Sequence, residues 1–260
     1  MVFRRAKDRL KPMSIRVKIW GCRGSIACPA PTHLKYGGNT TCLEVDAGNQ
    51  KFILDCGTGI RNLGQNLSST DFEHCDILLT HTHWDHINGF PFFAPAFSPA
   101  YQFDMYAGHL MDKGGVQTIM ETQMDNPMFP VPLEAMQADL KYVDFEAGDN
   151  FYLFGDIRIK TAPLNHPNGS TAYRVEHQGK AVLFLRVGGP LVVHAARQPG
   201  DTARVQRRPK ARRDPRHHAL GPVPARHRTL PNRIAQWQGV RESYFMPRLH
   251  RGVRAESRHP

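Results

Sequence analysis

The stretch from 75 to 90, CDILLTHTHWDHINGF, limits what this 260-residue chain can fold into more than any other part of it. It begins with a nearly continuous apolar run, which is typical of a strand buried on both faces of a sheet. Directly after that run, His81, His83, Asp85 and His86 occupy four of six positions. Burying so much imidazole and carboxylate without partners would be costly. The stretch therefore predicts a rigid strand whose carboxyl end presents polar side chains to a common point.

The spacing of these four residues suits metal binding. His81 and His83 are two positions apart, so both imidazoles can reach one ion from a tight turn. Asp85 and His86 are adjacent and can face a second ion beside the first. Imidazole and carboxylate together favour Zn²⁺, with Mn²⁺ or Fe as alternatives. Two such ions would activate a hydroxide and stabilise the oxygens of a substrate undergoing displacement.

Strands and helices alternate irregularly around this stretch. Short β-branched runs separated by glycine turns predict three strands within 14–60, and a long Gly/Pro-rich loop at 22–40 is typical of a functional loop. Further predicted elements are a helix at 59–67, a strand at 103–108, a helix at 114–124, two or three strands within 141–164 and a hairpin at 170–185. Mixed strands with few helices predict a layered α/β fold.

Positive charge is concentrated at one end of the chain. Residues 186–260 hold 17 Lys+Arg against 4 Asp+Glu, a net +13, whereas residues 1–185 hold 17 against 19, a net −2. The 186–260 segment is rich in Arg and Pro and has few large apolar residues, so we predict that it is a disordered tail. We expect a basic, disordered extension at 1–13 and one folded domain at 14–185.

Two origins of the 186–260 tail are considered. The change in composition after Leu185 suggests a shifted reading frame, which translation of the gene in its other frames would test. The alternative is a genuine basic extension that binds polyanions nonspecifically through charge.

Five cysteines without a CxxC pair predict reduced thiols and a cytoplasmic protein, and the absence of a long apolar run predicts no membrane association. The oligomeric state is not predicted.

Several motifs together resemble the metallo-β-lactamase superfamily. HTHWDH is similar to its HxHxDH motif, and IWGCRGS, YGGNTTCLEV, ILDCGTGIRNLG and LNHPNGSTAYRVE follow the order seen in its bacterial branch near tRNA 3′-processing endonucleases and cyclic-nucleotide phosphodiesterases. The resemblance covers about residues 14–185. It implies an αββα sandwich with metal ions in a cleft at one edge of two sheets.

The resemblance also implies roles for individual residues. His81, His83 and His166 match the ligands of a first ion, and Asp85 and His86 match ligands of a second, with Asp85 also expected to take part in catalysis. Asp55 matches an aspartate close behind the site, which either orients a ligand or caps a turn. Residues read as either phosphate contacts or purely structural loop members are Arg23, Asn39 and Thr40.

Two ligands of the family pattern have no counterpart. The aspartate expected to bridge both ions, near position 187, is replaced by Val187, and none of the later histidines, His194 included, follows a predicted strand. We therefore expect one bound ion rather than two. The expected function is metal-dependent hydrolysis of a small-molecule or nucleotide phosphodiester by an activated hydroxide. The alternatives are a catalytically impaired product with an incomplete site, or an ester, thioester or lactam hydrolase.

Overall fold

Two β-sheets form the frame of the protein. The computed structural model describes residues 15–67, 74–153, 155–185 and 192–196. The first sheet contains, in spatial order, β1 (Arg16–Gly21), β2 (Cys42–Ala47), β3 (Gln50–Leu54), β4 (His74–Leu79), β5 (Gln102–Ala107) and β6 (Asp139–Asp144). The second contains β11 (Val192–Ala196), β10 (Lys180–Leu185), β9 (Ser170–His177), β8 (Ile157–Leu164) and β7 (Asn150–Leu153).

The first sheet changes direction partway across. β1, β2 and β3 pair antiparallel, whereas β3, β4, β5 and β6 run parallel. The carboxyl ends of the parallel strands therefore meet at one edge of the sheet. Loops that leave this edge carry Asp55 after β3 and His81 to His86 after β4.

Helices cover the outer face of the first sheet. They are α1 (Gly59–Asn66), α2 (Trp84–Ile87) and α3 (Gly115–Gln123), with short 3₁₀ turns at Pro31–Tyr36, Phe90–Phe92, Ala94–Phe97 and Leu133–Ala135. In α1, Ile60, Leu63 and Gly64 are buried, the spacing of one helix face, and this face packs into the apolar layer below the sheet.

A second apolar layer lies between the two sheets. It joins Leu43, Phe52 and Leu78 of the first sheet to Tyr173 and Phe184 of the second. Alternate residues of β4 thus face different layers, because Ile77 and Leu79 pack on the helical side. This explains why β4 is buried on both faces, as its apolar run predicts.

The layered α/β sandwich is confirmed, with the helices of the described ranges lying on the first sheet. One part of the predicted tail differs from expectation, because Val192–Ala196 forms a strand that pairs antiparallel with β10. His194 therefore lies within a strand, which corrects the expectation for that residue. The predictions for 1–13, for Val187 and for the rest of 186–260 fall outside the described residues. None of the described helices is long and apolar enough to cross a membrane.

Candidate metal centre

Three imidazoles from two loops converge at the edge of the first sheet. His81 and His83 follow β4, and His166 lies in the loop between β8 and β9. One nitrogen from each ring lies within 4.8 Å of one nitrogen from each of the others. His83 Nδ1 and His166 Nε2 are 3.2 Å apart. Two nitrogens on one tetrahedral zinc, each about 2.0–2.1 Å from it, lie about 3.3 Å apart, so this donor set fits a single ion.

His81 is held in the form that a metal requires. Burial, together with the neighbouring rings of His86, His166 and His83, lowers its pKa to about 2. The imidazole is therefore neutral at neutral pH, and one ring nitrogen keeps its lone pair.

Asp55 lies directly behind the centre and orients His86. Its carboxylate is fully buried, and Oδ2 accepts a hydrogen bond from His86 Nδ1 at 2.7 Å. The Nε2 atom of His86 consequently points away from Asp55, towards Asp85 Oδ2 at 3.3 Å. Burial disfavours the charged ring, but Asp55 and Asp85 on its two sides outweigh burial and raise the pKa of His86 to about 9.

Thr80 links Asp55 to the ring of His81. The Thr80 amide and hydroxyl both donate to Asp55, at 2.8 Å and 2.9 Å, and the hydroxyl oxygen lies 3.0 Å from His81 Nδ1. A hydroxyl that donates to Asp55 accepts from His81 Nδ1–H, which leaves His81 Nε2 as the lone-pair nitrogen. One buried carboxylate thereby fixes the orientation of two imidazoles.

Asp85 is held by the long loop that precedes β2. The amide of Ser25 donates to Asp85 Oδ2 at 2.7 Å. Burial acts to raise the pKa of Asp85, but His86 and the Ser25 amide outweigh it and hold the pKa well below its usual range. Asp85 is thus an anion beside His86.

Asp85 and His86 alone do not complete a second ion site. His86 Nε2 and Asp85 Oδ2 supply only two donors to such a site. The cleft's group of three donors consists of His81, His83 and His166. Across the described ranges, no third donor joins that pair in a comparable group. The expectation of one ion rather than two stays a prediction.

The second sheet positions His166 through contacts at the start of β9. Thr171 N–H donates to Thr80 O at 2.8 Å, and the buried Tyr173 hydroxyl donates to Leu79 O at 2.8 Å. These bonds tie β9 to the last residues of β4, from which His81 follows. The loop carrying His166 therefore keeps a fixed relation to the other two histidines.

The three residues expected either to contact phosphate or to build the loop are engaged within the protein. The Arg23 guanidinium donates to the carbonyls of Gly37 at 2.7 Å and His33 at 3.1 Å. Asn39 Oδ1 accepts from the Thr58 hydroxyl at 3.1 Å. Thr40 is fully buried, and its amide donates to the same Thr58 hydroxyl at 2.8 Å. Phosphate contacts by these three residues stay a prediction.

Several residues near the centre were not identified from the sequence. Thr80 and Ser25 are two of them, and position could have indicated Thr80, since it separates the buried strand from the first histidine. His109 is a third, because it follows β5 as His81 follows β4. Its Nε2 lies 3.4 Å from Thr82 Oγ1, and burial, assisted by Lys113 and His83, lowers its pKa to about 4.

Trp84 is another residue near the centre that the motif alone does not characterise. It is 77% exposed. It presents an aromatic face to solvent between His83 and Asp85.

Two sheets, with helices on the first, carry three histidines in two loops at one edge: two follow the parallel strand β4 and one lies between β8 and β9. The family model described as the beta-lactamase superfamily domain matches residues 50–236, more than half of the chain, and the chain belongs to this superfamily. The match continues past Leu185, where the sequence resemblance was expected to end. The frameshift hypothesis stays a prediction.

Solved structures with the same fold are similar to this chain at low identity. The metallo-beta-lactamase fold protein YhfI from Bacillus subtilis has 19% identity and a TM-score of 0.46, with 65% of this chain and 61% of YhfI covered. Human tRNase Z, short form, has 17% identity and a TM-score of 0.45, with 68% of this chain and 70% of that chain covered. Zn²⁺-bound PqqB from Methylobacterium extorquens has 15% identity and a TM-score of 0.43, with 64% and 60% covered. The chain thus spans less than two thirds of YhfI. No match was found among curated proteins.

Proposed function

We propose that the protein is a hydrolase that uses a metal ion held by His81, His83 and His166 to cleave a phosphodiester. The observation that carries this proposal is the convergence of these three imidazoles, one of them held neutral by burial. A divalent cation bound there would supply Lewis acidity and lower the pKa of water. Zn²⁺ suits three neutral imidazoles best, with Mn²⁺ or Fe as alternatives.

The remaining residues of the centre supply charge and orientation. Asp85, held as an anion by Ser25 and His86, can accept a hydrogen bond from the attacking water and orient it. Asp55 and Thr80 keep the rings of His86 and His81 in position and add no group that reaches the substrate.

The exposed indole of Trp84 favours a nucleotide substrate. Aromatic side chains beside a phosphate-cleaving centre can stack on a base, a contact worth about 1–3 kcal/mol. Trp84 is exposed and stands in the sequence between His83 and Asp85, which supports a contact between its indole and the base of a bound nucleotide.

Chromogenic substrates distinguish phosphodiester cleavage from the alternatives. The full chain, loaded with Zn²⁺ or Mn²⁺, is assayed on bis(p-nitrophenyl) phosphate, a p-nitrophenyl ester and a chromogenic β-lactam. We expect turnover of the phosphodiester, loss of that turnover in His166→Ala, and retention in His177→Gln, a histidine of β9 that pairs with Asp156 outside the cleft. Preferential cleavage of the ester or the lactam would contradict the proposed substrate class.

The role of Trp84 is tested with two phosphodiesters that differ only in carrying a base. Trp84→Ala should raise KM for a thymidine p-nitrophenyl phosphate about tenfold or more while leaving KM for methyl p-nitrophenyl phosphate unchanged. Trp84→Phe should restore most of the affinity. Equal effects on both substrates would rule out base stacking.

A further inference from the structure

A second group of metal-type donors lies at the opposite end of β4 from the cleft. Its members are His74 and Asp76 on β4 and Asp104 on β5, and one donor atom from each lies within 4.8 Å of the others. Seven residues separate His74 from His81, which corresponds to roughly 20 Å along an extended strand. The group is therefore independent of the three histidines in the cleft.

The parallel pairing of β4 and β5 brings these side chains together. Asp76 and Asp104 are register partners, and His74 lies two residues before Asp76, on the same face of the sheet. His74 Nε2 lies 3.4 Å from Asp104 Oδ2 and 3.9 Å from Asp76 Oδ1. These separations approach the spacing of about 3.3 Å expected for two donors on one zinc ion.

Asp76 is the residue that points to a ligand. Its side chain is 1% exposed, and neither carboxylate oxygen has a hydrogen-bond partner of normal geometry among the described residues. Asp104, by contrast, accepts from Gln102 Nε2 at 3.5 Å. A buried carboxylate on which only the Tyr106 hydroxyl acts as a donor, beside a second carboxylate, is unfavourable unless a positive charge compensates it.

The ionisation of Asp76 agrees with this geometry. Burial and the neighbouring Asp104 together raise its pKa to about 7, against the hydroxyl of Tyr106, which acts in the opposite direction. When both carboxylates are ionised, the group carries two negative charges, more than one imidazolium could balance. A divalent cation would neutralise the pair.

We propose that His74, Asp76 and Asp104 form a second, structural binding site for a first-row divalent cation, with Zn²⁺ as the representative ion. One imidazole nitrogen with two carboxylate oxygens is a donor set for Zn²⁺, Mn²⁺ or Fe²⁺. The ion fastens the amino-terminal ends of β4 and β5 to each other. His74 and Asp104 are partly exposed, which gives the ion a route from solvent.

The test is carried out on the full chain in which the cleft ligands are removed by His81→Ala and His83→Ala. After dialysis against Zn²⁺, this variant should retain about one zinc per chain, and zinc should raise its melting temperature. Adding Asp76→Asn and Asp104→Asn should abolish both the bound zinc and the thermal shift. Asp139→Asn, an exposed carboxylate on the neighbouring β6, is the matched control and should change neither.

A second variant separates loss of the site from loss of the fold. His74→Gln replaces one ligand at a partly exposed position and should weaken zinc binding at least tenfold in the same background, with an unchanged circular dichroism spectrum. Cleft-deficient protein that binds no zinc, or binding that survives Asp76→Asn with Asp104→Asn, would overturn the proposal. Activity of the intact cleft plays no part in this readout, so failure here leaves the proposed hydrolase function standing.

Discussion

Asp55 is the residue that orients the imidazole rings of His86 and His81 in the cleft. Its buried carboxylate accepts a hydrogen bond from His86 Nδ1 and another from the Thr80 hydroxyl, which in turn contacts His81. A residue in this position influences metal affinity without touching the metal, because it fixes which ring nitrogen carries the lone pair.

Asp55→Asn should weaken zinc binding in the cleft about 10- to 100-fold. The asparagine amide lacks the negative charge that attracts His86. Its NH2 group can only donate a hydrogen bond, whereas each carboxylate oxygen of Asp55 accepts one. Isothermal titration with Zn²⁺ measures the change, and Asp112→Asn, an exposed carboxylate, is the control. Unchanged affinity would show that Asp55 only caps the turn after β3.

Asp76 makes the stability of metal-free protein depend on pH. Its pKa rises from 3.8 to about 7 on folding, so the folded state binds this proton more tightly than the unfolded state does. The stabilisation is complete below pH 4 and is lost as the pH rises to about 7. Over that interval Asp76 should lower the free energy of unfolding by up to about 4 kcal/mol, while the lowered pKa values of His81 and His109 act in the opposite direction.

Denaturant unfolding in chelator, at several pH values, measures this effect. In Asp76→Asn the proton-linked loss between pH 4 and 7 should be absent, so the two curves should diverge as the pH rises. Parallel curves for the wild type and the variant would contradict the assigned role of Asp76.

At the level of elements, the short helix α2 carries Asp85 and His86. Its position depends on the close approach of the backbone at Gly89 to the backbone at Cys56 and Gly57. Gly89 N–H donates to Cys56 O at 2.9 Å, and a Cβ on Gly89 would lie 2.1 Å from Gly57 O. A backbone carbonyl cannot move aside as a flexible side chain can. The end of α2 therefore requires glycine at position 89.

Gly89→Ala should lower the free energy of unfolding by about 3 kcal/mol and weaken zinc binding, since the collision displaces the helix that carries His86. Gly155→Ala is the comparison, because Gly155 has a φ of 82° but open space around its Cβ, and should cost about 1 kcal/mol. Chemical denaturation measures both. An equal loss of unfolding free energy in the two variants would show that the contact with Gly57 does not require glycine at position 89.

The elements also show which parts of the fold local sequence could predict. β4, α1 and the β9–β10 hairpin follow from short-range patterns of apolar residues, and the structure confirms them. The group at His74, Asp76 and Asp104 could not be predicted in this way. It depends on the register between β4 and β5, which is set by packing across the sheet, and an apolar run with one aspartate does not indicate it.

The same limit applies to the cleft. His81 and His83 share one loop, so spacing predicts their proximity, whereas the position of His166 depends on the bonds from Thr171 and Tyr173 to the end of β4. Only the family resemblance, not local pattern, brought His166 into the predicted site. Thr80 and His109 belong to neither motif and required the folded structure.

At the scale of the whole molecule, truncation can test the basic segment 201–260 independently of the cleft. Residues 201–260 hold 15 Lys+Arg against 4 Asp+Glu, a net +11, so residues 1–200 have a net charge of zero. Truncation after residue 200 keeps β11, which pairs with β10. We expect the truncated protein to retain zinc in the cleft and to lose nonspecific affinity for a single-stranded oligonucleotide.

Fluorescence anisotropy at several salt concentrations measures that affinity. In the full chain it should fall steeply with salt, as binding through phosphate charge requires. Truncated protein that binds the oligonucleotide as tightly as the full chain would contradict a role for the basic segment.

The convergence of His81, His83 and His166 on one cation is tested most directly by zinc X-ray absorption on protein whose second site is removed by Asp76→Asn and Asp104→Asn. The spectrum should show about three imidazole nitrogens at about 2.0–2.1 Å, and His166→Ala in that background should lower the imidazole count by one and the affinity at least tenfold. A spectrum without imidazole shells, or zinc binding indifferent to His166→Ala, would contradict the account.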